Sequence, residues 1–222
     1  MTGTIVRTLG WLYRMPAKQG HGYFPMLVLS TQRLTIRPFV AGDAPAMAAV
    51  LGDAEVMRYS ESGSLNEAEV SNWIGEQVKA YSQSRYFGRW AICENAGSQA
   101  IGYVGLTQDE GRTAEGEAES LPAIGYVKLA QEEGLTAARE AELGFRLARR
   151  SWGKGYATEA AQAVVEDAFG TDKVDRLIGI VDPHNGASVR VLQRLGMSYA
   201  RPISFEGYDY PDHLYVLDRP GL

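Results

Sequence analysis

The chain has 222 residues, 45% hydrophobic and 22% charged, with a formal net charge of −5 at pH 7. These proportions suit one large globular domain, no apolar run reaches the ~18 residues of a membrane span, and the acidic balance speaks against nucleic acid as the principal partner. The single cysteine, Cys93, excludes an intrachain disulfide and fits a reducing, cytoplasmic setting; with only three histidines and no ligand spacing, a metal site is not expected.

Residues 1–42 contain no Asp or Glu, and residues 1–25 read as an extension ahead of a single domain over 26–222. Arg33 to Phe39 alternates polar and apolar side chains, as a half-buried strand does. Gly42-Asp43 is placed to cap a short helix through Leu51, with Pro45 tolerated in its first turn. Ser64 and Glu67 have capping-box spacing, which opens a helix to about Ser84. Arg89–Glu94 and Gln99–Leu106 read as strands joined by the Asn95–Ser98 turn. Cys93 alternates with Ile92 and Glu94 in the first of them, which makes it a packed core thiol. An insertion rich in Glu, Gly and Ala follows over 107–141. Within it Ala123–Leu129 repeats Ala100–Leu106 at all but one position. The repeat reads either as an added strand or as part of a lid over substrate, and both stay open.

Leu143–Leu147 is a short apolar strand. It runs into Arg149-Arg150-Ser151-Trp152-Gly153-Lys154-Gly155-Tyr156-Ala157-Thr158-Glu159-Ala160, where cations and glycines crowd a strand-to-helix junction. Arg146, Arg149, Arg150 and Lys154 supply charge, and no acid occurs between Glu142 and Glu159. A helix N-terminus offers unpaired N–H groups and about half a positive charge, and glycines let a ligand approach the backbone. The expected guest is a pyrophosphate. A P-loop is excluded because Gly155, not Ser or Thr, follows Lys154, and a dinucleotide fingerprint because Thr158 stands where its third glycine belongs. After this loop, Ala160, Ala161, Val164, Val165 and Ala168 mark one apolar helix face. Leu177–Val181 is a buried strand ending at Asp182-Pro183. Asn185, a good N-cap, starts a helix that Gly196 closes as a C′ residue. Met197–Phe205 and His213–Leu217 form a closing hairpin.

The pattern Arg/Gln-x-x-Gly-x-Gly-x-Ala is met by Arg150, Gly153, Gly155 and Ala157, and thirty residues past Gly155 comes Asn185-Gly186-Ala187-Ser188 leading to Leu195-Gly196-Met197. In these two segments the chain resembles the GNAT N-acetyltransferase superfamily, over roughly Thr31 to Arg219. Leu34-Thr35-Ile36-Arg37-Pro38, the loop Trp152–Ala160 and Ser188 resemble the branch of ribosomal-protein N-terminal acetyltransferases. Leu192 stands where many members carry a tyrosine that protonates the departing thiolate, and it has no proton to give.

The resemblance implies an α/β fold: a twisted, mostly antiparallel sheet with helices on both faces, in which the parallel strands Leu143–Leu147 and Leu177–Val181 splay apart. It implies acetyl-CoA as cosubstrate, held by Phe145, Arg146, Leu147, Arg150, Ser151, Trp152, Gly153, Lys154, Gly155, Tyr156, Ala157, Thr158, Asn185 and Ser188. One amide of Phe145–Leu147 would polarise the acetyl carbonyl. Trp152 is expected to fix the loop by packing, and Arg150 either holds phosphate or is a surface arginine paired with Glu159. The acceptor is a primary amine, on a protein N-terminus or a small molecule, attacking directly in a ternary complex of a monomer or homodimer. An α-amine has a pKa of about 7.7–8.0 against about 10.4 for lysine, so it asks for only a modest base. Glu142 is the candidate base, unless it is merely a solvated strand-end carboxylate; Asp109, Glu206 and Asp209 are weaker alternatives. Ser188 is the candidate acid toward the CoA sulfur, with an ordinary first-turn serine as its alternative. His184, Tyr208 and Tyr210 border the expected acceptor pocket, as ordinary turn residues or as contacts. The competing class is a catalytically idle CoA-binding sensor or scaffold.

Overall fold

The computed structural model describes residues 27–60, 62–82, 84, 86–107, 139–171, 173–205 and 209–221. The N-terminal extension, the repeat at Ala123–Leu129, Asp109, Glu206 and Tyr208 lie outside the described residues.

Alternation sets the first edge of the sheet: in β2 (Leu34–Arg37), Leu34 and Ile36 are fully buried while Thr35 and Arg37 are half-buried. A two-residue strand missed in the sequence, β1 (Leu29–Ser30), pairs outside it. The Asp43 carboxylate makes no cap bond to α1 (Ala44–Leu51). It accepts the Val40 N–H at 2.9 Å and a two-pronged bond from Arg37 at 2.8 Å, so it locks the strand exit rather than the helix start. The capping box of α2 (Glu67–Ala80) also differs from the Ser64–Glu67 expectation. Asn66 Oδ1 accepts from the Ala68 and Glu69 N–H groups at 3.0 Å, and Glu69 accepts from the Asn66 N–H at 2.7 Å. Two boxes of equal spacing overlap here, and the asparagine carboxamide reaches the helix amides.

The remaining strands are β3 (Gly88–Glu94), β4 (Ala100–Thr107), β5 (Glu140–Leu147), β6 (Arg176–Val181), β7 (Ser198–Ile203) and β8 (Asp212–Asp218). They form one eight-stranded sheet, ordered β1-β2-β3-β4-β5-β6-β8-β7, in which only β5 and β6 are parallel. The insertion boundaries shift accordingly: Thr107 ends β4, while Glu140 and Ala141 begin β5. Cys93 is buried in β3, and burial pushes its thiol pKa up, away from nucleophilic use.

Helices cover both faces, as alternation on β4 shows. Tyr103 meets Trp73 of α2 with centroids 5.4 Å apart, and Trp73 in turn meets Phe39 at 5.3 Å. On the opposite face Trp90 and Leu106 meet Val164 and Ala168 of α3 (Tyr156–Phe169). The last helix, α4 (Gly186–Arg194), packs on β6 where Gly179 leaves room: a Cβ there would stand 2.9 Å from Leu192 Cδ2.

One polar clamp ties α3 to the β1–β2 edge. Glu159, in the first turn, accepts from the Thr31 hydroxyl at 2.6 Å, the Arg33 N–H at 2.9 Å and Arg33 Nε at 2.7 Å. Burial alone would raise the Glu159 pKa, but the bonds from Thr31 and from the Arg33 backbone and guanidinium outweigh it and hold the carboxyl below its ordinary range. A depressed folded pKa contributes stability above the unfolded value, which is lost as pH falls through the folded one. Glu159→Gln is expected to cost about 1–2 kcal/mol in urea unfolding at pH 7, a modest figure because Arg33 is solvent-exposed. That difference should shrink below about pH 4; a cost that persists unchanged there would assign the effect to packing.

Candidate active site

The parallel pairing of β5 with β6 stops almost as soon as it starts. Its register runs through Glu140–Arg176, Ala141–Leu177 and Glu142–Ile178 and no further. Past that point β4 still holds β5 as far as Leu147, and β8 still holds β6 as far as Val181. The two strands are therefore anchored by outer neighbours while their facing edges part. Alternate amides of 143–147 point away from β4, into the opening. Glu142, half-buried, stands at its apex.

The far end of β5 runs into the glycine loop. Ala148 N–H donates to Ile101 O at 2.8 Å, and Arg149–Ser151 forms a single 3-10 turn in which Ser151 is buried. Trp152 Nε1 donates to Leu147 O at 2.8 Å, so its indole ties the loop to the strand end by a hydrogen bond, while the ring stays 45% exposed. Gly153 and Gly155 have φ of +73° and +79°, the left-handed region that side chains disfavour. Gly155 is the N-cap of α3 and brings no side chain to its first amides, which Tyr156, Ala157 and Thr158 carry. A Cβ at Gly153 would meet no heavy atom within 4 Å.

The cations around this loop divide by partner. Arg149 pairs with Glu55 at 3.1 Å. Arg33, which the sequence placed only at the start of a strand, donates to Lys154 O at 2.9 Å and lies over the Tyr156 ring at 4.7 Å. Because Arg33 holds Glu159, the expected alternative partner of Arg150 is already taken. Among the described residues Arg150 engages no carboxylate, and it is exposed beside Lys154. Open amides, a helix N-terminus and these cations suit a diphosphate.

Across the opening, Asn185 caps α4 by accepting the Ser188 N–H at 3.2 Å, and Ser188 is half-buried on the first turn. Beyond the end of β6 lies a polar cluster of residues that the sequence left open between ordinary turn positions and substrate contacts. Asp182 accepts the His184 N–H at 2.7 Å and the Tyr210 hydroxyl at 2.8 Å, and His184 Nδ1 lies 3.0 Å from it. Burial alone would raise the Asp182 pKa, but the bonds from the His184 backbone, Tyr210 and the His184 ring outweigh it and hold it below the ordinary carboxylate range. An ionised Asp182 only accepts, so His184 Nδ1 is the donor toward it, and Nε2 is the ring nitrogen not committed to this carboxylate. The segment between α1 and α2 reaches over the mouth: Tyr59 donates to His184 O at 3.2 Å, and Arg146 Nη1 reaches Met57 Sδ at 2.8 Å and Ser60 Oγ at 3.4 Å. The Arg146 side chain thus leaves the loop's basic island, while Phe145 and Leu147 project to the opposite face. Among the described residues no cluster of His, Cys, Asp or Glu is placed to hold a metal ion, and no helix is long and apolar enough to cross a membrane.

Residues 33–198 match the family model of the acetyltransferase (GNAT) domain. The chain belongs to the GNAT acetyltransferase family. The uncharacterized N-acetyltransferase p20 of Bacillus licheniformis is 25% identical over 173 residues, 77% of this chain and 82% of that one. The fold is shared with a GNAT-family acetyltransferase from Bacillus anthracis, at TM-score 0.66 and 20% identity over 87% of this chain and 99% of that one. It is also shared with RimL, a ribosomal L7/L12 alpha-N-protein acetyltransferase in complex with coenzyme A, at TM-score 0.63 and 15% identity over 85% and 93%. Acetyl-CoA is the family's acetyl donor, and the diphosphate-suited loop agrees with it.

Gly155→Val is expected to raise the acetyl-CoA KM by about tenfold or more, since a branched residue at φ +79° costs roughly 1–2 kcal/mol and displaces the first amides of α3. Its Cβ itself would meet only Arg33 Nη2 at 3.5 Å, so the strain is in the backbone. Steady-state kinetics with varied acetyl-CoA checks this.

Proposed function

We propose that the chain is an acetyl-CoA-dependent N-acetyltransferase that acetylates a primary amine by direct attack in a ternary complex. One observation carries the reading: the β5–β6 opening has a carboxylate, Glu142, at its apex and the diphosphate-suited loop at its far end. Acetyl-CoA supplies a thioester acetyl group there. The amides and cations of Arg150 to Thr158 bind its diphosphate, assisted by Asn185 at the start of α4. An unpaired amide among Phe145–Leu147 donates to the acetyl oxygen as negative charge gathers on it. The amine nitrogen bonds to the acetyl carbon, its proton passes to Glu142, directly or through water, and the carbon–sulfur bond breaks. Ser188 donates a hydrogen bond or proton to the departing sulfur. A thiol of pKa about 8.5 leaves without much help, so this last role is small.

Ser188 and the RimL-like fold favour an α-amine as acceptor, on a protein N-terminus or a small molecule. An α-amine is partly neutral at pH 7 and so matches a single carboxylate base. The sensor reading rests on Leu192, which is buried against Gly179 and brings no hydroxyl to the sulfur.

Thiol release from acetyl-CoA across an amine panel that includes Ser- and Ala-initiated peptides tests the proposal. Turnover on at least one amine is expected; tight coenzyme A binding without turnover on any would establish the sensor instead. Glu142→Gln should lower kcat/KM by about 10²-fold, most at low pH, and Ser188→Ala by less than about tenfold. A Glu142→Gln ratio that stays flat across pH, with His184→Asn showing the larger loss, would move the base role to the Asp182-held imidazole.

A further inference from the structure

Glu142, Gly144 and Arg146 stand on one face of β5, because successive strand residues alternate. That face looks toward α1 and α2: Arg146 is the register partner of Tyr103, whose ring meets Trp73 of α2. Gly144 leaves the face bare between the two charged residues, since a Cβ built there would find no heavy atom within 4 Å. The result is a notch with a carboxylate at the apex end and a guanidinium at the other, about 13 Å apart at Cα from four strand steps.

The guanidinium is poorly matched to its surroundings. Arg146 is half-buried; its contacts are the Met57 thioether at 2.8 Å, the Ser60 hydroxyl at 3.4 Å and the Tyr103 ring at 5.9 Å. None of these is an anion, and a thioether is a weak acceptor. By contrast Arg33, Arg37 and Arg149 each hold a carboxylate, Glu159, Asp43 and Glu55. An arginine keeps its proton when buried, so removing it from water costs energy that only an anion offsets well, and its planar fork is shaped for a carboxylate.

We infer that the acceptor carries a carboxylate close to its amine, and that Arg146 binds this carboxylate while the amine points toward Glu142. This rests on the acetyltransferase reading and narrows its substrate class. The carboxylate is either the α-carboxylate of a free amino acid or an acidic side chain near a peptide N-terminus. The two share one chemistry, and only Arg146 is free to read it among the arginines just named. Arg146 acts here as a specificity residue; its backbone keeps its place along the opening.

Matched acceptors test the inference: an amino acid against its amide, and peptides with Asp or Glu at the second residue against Asn or Gln. The wild type is expected to favour one acid over its amide by about 10- to 100-fold in kcat/KM, the size of one charge-assisted pair. Arg146→Gln should erase that preference, bringing the acid-to-amide ratio of kcat/KM toward one through the KM for the acid, whatever its effect on the overall rate, and Arg146→Lys should restore part of the ratio. The pair that shows the effect names the source of the carboxylate. Equal use of acid and amide by the wild type, or an equal loss on both in Arg146→Gln, overturns the inference. Should no amine turn over, the acetyltransferase reading fails, and calorimetry separates the two questions. An N-acetyl amino acid titrated into coenzyme A-saturated protein should then bind more tightly than its amide, and only in the presence of Arg146. Equal binding overturns the carboxylate site.

Discussion

The end of parallel pairing at Glu142–Ile178 is the constraint from which the site follows. Two strands that stay joined bury their amides in each other; two that part leave amides pointing into a gap, and unpaired amides are tolerated only where a ligand or water meets them. Here the gap is held open from outside. β4 grips β5 and β8 grips β6 along their lengths, so the cleft needs no ligand to form. For the proposed acyl transfer this is preorganisation: amides that would meet a developing oxyanion are aimed before substrate arrives.

The two ends of the gap carry different electrostatics for a structural reason. At the loop end, positive charge comes from helix α3 and from exposed cations, and the acid in the first turn of that helix, Glu159, is held by Thr31 and Arg33. Without that clamp a carboxylate in the first turn of α3 would compete with a bound phosphate. The clamp thus ties the sheet edge to the helix and keeps the cradle cationic. At the mouth, the α1–α2 segment supplies Tyr59, Met57 and Ser60, which touch β5 and the turn after β6 alike. Strands far apart in sequence are in this way bridged by a segment with no motif of its own.

Leu192 shows how a departure from a family pattern is absorbed. In place of a tyrosine hydroxyl the chain has an apolar side chain, and Gly179 on β6 provides the hollow that receives it. Packing at this point closes the helix onto the sheet, and in the proposed reaction the sulfur-side role falls to Ser188, one turn earlier and half-buried. The mouth cluster Asp182–His184–Tyr210 adds an imidazole held by an ionised carboxylate at the end of β6, across the opening from the carboxylate on β5.

The sequence alone determined the glycine loop, because only glycine accepts the positive φ found at 153 and 155, and the caps at Asn185 and Gly196, because capping is local chemistry. Alternation and period likewise made β2, β3, β4, β6 and α3 legible. Where two local solutions competed, as with Ser64 and Asn66, spacing could not choose between them. Tertiary structure decided what depends on pairing across the chain: that Glu159 answers to Arg33 and not Arg150, that Arg146 turns toward Met57, and that Tyr59 meets His184. These contacts join residues more than 80 positions apart, and no local signal encodes a partner at that distance. The sequence marks which groups carry charge and protons; the parted strands and the segment over them determine which of those groups face one another.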